Sequence, residues 1–86
     1  MNLETIYQTA FLTNYETVKY SIETLKLSLK ESKYSDNVTR TMIEGLITLL
    51  EATNNNTANM ISDDKIKDAD ERIQKRVVDF WTKFKV

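Results

Sequence analysis

Apolar residues recur in the first third of the chain as Phe11, Tyr15, Val18, Ile22, Leu25 and Leu29, at spacings of four, three, four, three and four. That spacing matches the turn of an α-helix and lays one apolar seam along one face. Upstream, Leu3, Ile6, Tyr7 and Ala10 feed the same seam, Asn2 can cap the helix, and Glu4 suits the positive end of its dipole. The pattern predicts one helix over about residues 3–33. A competing signal lies at Thr13-Asn14, where Thr13 followed by Glu16 fits a capping box. A kink there would give four helices instead of three.

Tyr34-Ser35-Asp36-Asn37 reads as a turn in which Ser35 or Asp36 caps the next helix. That second helix is predicted over about 37–52. Val38, Met42, Ile43, Leu46, Ile47, Leu49 and Leu50 make its second half apolar over more than half its circumference, which implies burial from two sides. Gly45 in its interior either marks a close helix crossing that needs the missing side chain or is simply tolerated there. Residues 53–59, Thr-Asn-Asn-Asn-Thr-Ala-Asn, are the least helical stretch and predict a loop. A third helix over about 63–84 follows from Ser62 as N-cap, Asp63 and Asp64 in the first turn, and Ile61 placed to staple onto Ile66. Its stripe is Ile66, Ala69, Ile73, Val77, Phe80 and Phe84. The fold class is therefore all-α, a small antiparallel bundle of three helices forming a single domain over 1–86.

The predicted core sets Tyr15, Val18, Ile22, Leu25 and Leu29 against Met42, Leu46, Leu49, Ile66, Ile73, Val77 and Phe80, with Ile22 and Leu46 at its centre. Helices of about 45, 24 and 33 Å, taken at about 1.5 Å per residue, cannot cover one another fully. Leu3, Ile6, Tyr7 and Phe11 are left over unless the chain folds back at Thr13-Asn14. Symmetric pairing is the commonest way to cover such a surface, so a homodimer is expected.

Composition narrows the chemistry. The sequence contains no Cys, Pro or His and one Gly, which removes disulfides, most zinc sites and the usual general base. Without a glycine-rich phosphate loop or a nucleophile-and-base spacing, no catalytic residue, cofactor or metal is predicted, and the chain reads as a non-enzyme. Asp64, Asp68 and Glu71 share one helical face, but the helix dipole accounts for acids there better than a cation does. Thirteen acidic and twelve basic residues give a net charge of −1, too little to draw the whole molecule to nucleic acid. Neither a signal peptide nor a membrane-spanning run is visible, so a cytoplasmic location is expected.

Two groups of residues remain as candidate contacts. Glu16, Lys19, Glu23, Lys26, Lys30 and Lys33 mostly alternate in sign along the first helix and read as a solvated face with internal ion pairs. Arg72, Lys75 and Arg76 form a compact basic cluster, the basis of an alternative reading as a dimeric nucleic-acid-associated regulator. Phe80, Trp81 and Phe84 crowd the last turns of the third helix, Tyr7, Phe11 and Tyr20 on the first helix offer a matching patch, and aromatics of this kind are enriched in binding hot spots. They support the leading expectation, a small protein-binding module such as a phage- or plasmid-encoded inhibitor or immunity factor. Size and helix count are similar to those of small helical bacteriocin immunity proteins and phage-encoded inhibitors of host enzymes, a likeness of class rather than motif. A purely structural, self-associating protein is the third reading.

Overall fold

Asn2 begins the first helix as its sequence predicts. Its side-chain oxygen accepts from the Thr5 amide at 2.8 Å, satisfying one of the unpaired donors of the first turn. The computed structural model describes residues 2–31 and 36–84, apart from the side chains of Glu31 and Phe84. Within them lie three helices, α1 (Leu3–Glu31), α2 (Asn37–Ala58) and α3 (Asp63–Phe84), and no strand. The fold is all-α. The expected end of the first helix at Lys33 and the turn residues Tyr34 and Ser35 lie outside the described residues.

Helix α1 runs unbroken through Thr13-Asn14. The Thr13 hydroxyl does not turn forward to cap a new helix; it donates back to the Thr9 carbonyl at 3.0 Å. Thr9, Thr17 and Ser21 do the same to the carbonyls four residues before them, an arrangement in which hydroxyls sit in a helix without ending it. The kinked, four-helix alternative is thus not what forms.

Helix α2 starts at Asp36, whose carboxylate accepts from the Val38 amide at 2.9 Å and the Thr39 hydroxyl at 2.8 Å. Bonds from Thr39 and Val38 hold its pKa below the usual carboxylate value. The predicted loop at 53–59 is instead the last two turns of α2, which continues to Ala58. Asn and Thr are weak helix formers, but here burial decides: Asn54 is buried, and Thr57 and Ala58 are half-buried. Reversal takes place in residues 59–62. Met60 and Ile61 donate to the carbonyls of Thr57 and Ala58 at 3.0 and 3.1 Å. This is a tight turn, entered through Asn59 in right-handed backbone, and it needs no glycine. Ile61 is buried and Ile66 packs on the same apolar cluster, as a staple should.

Side-chain contacts between helices set the register. Arg40 donates to the Leu29 carbonyl at 3.3 Å and Asn54 to the Tyr15 carbonyl at 3.4 Å, which fixes α2 antiparallel to α1 and brings Ile22 level with Ile47. On α3, Lys65 meets Gln8 at 2.9 Å, Asp70 meets Tyr15 at 2.6 Å and Arg72 meets Glu16, so α3 runs parallel to α1. Helix α1 packs against both others, whereas α2 and α3 scarcely touch beyond their turn. The radius of gyration is 14.9 Å. A closely packed domain of this length would have roughly 12 Å, so the value is consistent with two helices splayed from a common third.

The core differs from expectation on α2. Buried apolar residues are Tyr15, Ile22, Ile47, Ile61, Ala69, Ile73 and Val77, with Val18, Leu25, Leu29 and Ile66 half-buried. Met42, Leu46, Leu49 and Phe80, all predicted core, are exposed. Helix α2 turns Ile43, Ile47, Leu50, Asn54 and Ala58 toward α1. That seam lies one residue on from the predicted stripe and so about 100° around the helix. Among the described residues Gly45 faces open space: a Cβ built there would meet nothing within 4 Å, and no helix crossing between them uses it.

Candidate interaction surfaces

The overhang of α1 produces the first surface. By the registers above, α2 ends level with Phe11 and α3 begins level with Tyr7, so the first turns of α1 project past both partners. Leu3, Ile6 and Tyr7 are accordingly 64, 48 and 55% exposed. Met60, 59% exposed at the turn after α2, comes up beside them. Leu3, Tyr7, Phe11 and Met60, with Glu4 and Gln8 at the edge, line an open cleft of about 460 Å³. Phe11 forms its inner wall and packs onto the main apolar cluster.

Val38, Met42, Leu46 and Leu49 on the outer side of α2 make the second surface, exposed by 66, 70, 47 and 68%. Gly45, Thr53 and Asn56 continue the same stripe, and Met60 stands where it meets the cleft. The sequence pattern puts Met42, Leu46 and Leu49 in the core; the two apolar seams of α2 share one period, and only one can face α1.

Aromatic residues at the other end are largely engaged within the fold. Tyr20 is half-buried, meets Phe80 edge to face at 6.3 Å, and carries the Arg76 guanidinium 4.5 Å over its ring. Trp81 is half-buried, so α3 turns it inward more than its neighbour Phe80. The Phe84 side chain lies outside the described residues. Of the predicted contact residues, Tyr7 and Phe11 thus meet in one site, and Tyr20 and Phe80 meet elsewhere as an internal contact.

The basic cluster is also drawn on by the fold. All three residues are exposed, with Arg72 paired to Glu16 and Arg76 held over Tyr20. The charged stripe of α1 is corrected in the same way. Lys19 and Glu23 do pair within the helix at 3.5 Å, but Glu16 reaches α3 and Lys26 reaches Glu51 of α2 at 3.0 Å. These charges border helix contacts rather than forming a face of their own; Lys33 lies outside the described residues.

One titratable group is strongly perturbed. Burial, and then the hydrogen bond from its hydroxyl to Asp70, push the Tyr15 phenol well above the ordinary tyrosine value. Its carbonyl meanwhile accepts from the Asn54 amide. Together these bonds tie three helices at one residue and present no open reacting position. Among the described residues, no helix is long and apolar enough to cross a membrane. Compared with family models, curated proteins and solved structures, the chain matches none.

Proposed function

We propose that this chain acts by binding another protein, with no reaction of its own, and that the cleft at the start of α1 is the docking site. The observation that carries the reading is the convergence of Leu3, Tyr7, Phe11 and Met60 where α1 runs out past the ends of α2 and α3. A flexible methionine beside two aromatic rings suits an apolar helix or loop of a partner, whose side chains it can adapt to. Occupying a surface on that partner is how an inhibitor or an immunity factor of this size would act. The basic cluster gives less support to a nucleic-acid reading, because both of its arginines already have partners in the fold.

A photo-crosslinking side chain in place of Tyr7, in cells of the source organism, tests the proposal. One dominant protein adduct is expected, absent from a control label at exposed Lys67 and lost when Met60→Glu is added. Adducts no different from those of the Lys67 control would sink it.

A further inference from the structure

We infer that the outer face of α2 is covered by a second copy of this chain, the two α2 helices packing antiparallel across a two-fold axis beside Gly45. This face is distinct from the cleft, and the inference does not depend on what the cleft binds. Its first support is charge. Although 29% of the chain is charged, the stripe from Val38 to Asn56 carries no ionisable side chain. Arg40 and Glu51 face α1, and Glu44, two residues from both Met42 and Leu46, lies on the far side of the helix. Two-fold symmetry sets this stripe against its own copy, and with no ionisable side chain on either copy the pairing buries no unpaired charge.

Gly45 supplies the second argument. Glycine is the poorest helix former after proline, and among the described residues nothing approaches Gly45. A register that seats the second copy's Leu46 over Gly45 also sets Met42 opposite that copy's Leu49, filling the gap with the neighbouring knob on the other helix. Area supplies the third. The accessible surface of the chain is 6400 Å². A closely packed monomer of this mass would expose about 5,200 Å². That excess is spread over the whole molecule, the overhang of α1 included, and it exceeds the roughly 800 Å² that each partner contributes to an interface of standard size. The paired segment ends before Met60, so the cleft stays open in the dimer.

Light scattering with gel filtration should give twice 10.0 kDa for the wild type. Leu49→Lys, at a position exposed in the single chain, should give 10.0 kDa with unchanged helicity. Because the chain has no cysteine, single-cysteine variants report the register cleanly. Met42→Cys mixed with Leu49→Cys should cross-link on mild oxidation. Either alone should not, since each cysteine then lies about two helical turns from its equivalent on the other copy. A wild-type mass of 10.0 kDa at the highest attainable concentration overturns the dimer and leaves the cleft proposal standing. Self-linking of either single variant as fast as the mixture overturns the register.

Discussion

Ile22 and Leu46 show how much one side chain's facing matters. Both belong to helical apolar seams, but Ile22 is 1% exposed and Leu46 47% exposed. Ile22→Ala should therefore cost about 2 to 5 kcal/mol as a buried truncation. For Leu46→Ala the loss to the folding of a single chain should stay below about 1 kcal/mol, since much of that side chain is already in water. Urea unfolding at low protein concentration, where subunits are dissociated, measures both. Tyr15 adds a dependence on pH. The fold holds the phenol in its neutral form. The stabilisation is fully present below the ordinary tyrosine pKa of about 10 and is lost as pH rises beyond it, where the unfolded chain ionises first. Stability should fall above that pH, and Tyr15→Phe should flatten the fall; an equally steep alkaline limb in the variant would show that another group is responsible.

At the scale of elements, the sequence is most legible where one signal stands alone. The seam of α1 and the start of α3 are plain because each is marked by a regular apolar stripe and conventional first-turn residues. Helix α2 misleads twice, for physical reasons. Its Asn-rich end looks like a loop by propensity. Yet Asn54 is drawn into the interface with α1, where its amide donates to the Tyr15 carbonyl while its own oxygen stays buried without a partner. Such a polar group buried between helices favours one register over its neighbours at some expense of stability. The two apolar seams of α2 are offset by one residue, and hydrophobicity alone does not choose between them. The charges do: Arg40 and Glu51 flank the seam that faces α1, within reach of the Leu29 carbonyl and Lys26. Of the candidate sites, Tyr7 and Phe11 are legible as an overhang of unequal helix lengths, but Met60 is not, because it sits in a turn whose position depends on where α2 ends.

At the scale of the whole molecule, the decisive feature is that α1 touches both other helices while they hardly touch each other. Each of them meets its own strip of α1, and the turn at residues 59–62, exposed apart from Ile61, is their main link. The third helix, although it supplies Ala69, Ile73 and Val77 of the buried cluster, should then act as a clasp that can be taken off and put back. Cut within that turn, the chain should be rebuilt from two pieces: a helical hairpin ending at Met60 and a peptide beginning at Ile61, which brings Ala69, Ile73 and Val77 with it. Mixing the pieces should restore helix content that neither shows alone, with saturation at one peptide per hairpin. A change of Ile73→Asp in the peptide should abolish the recovery, and pieces that never recombine would mean that the linkage itself holds the three helices together.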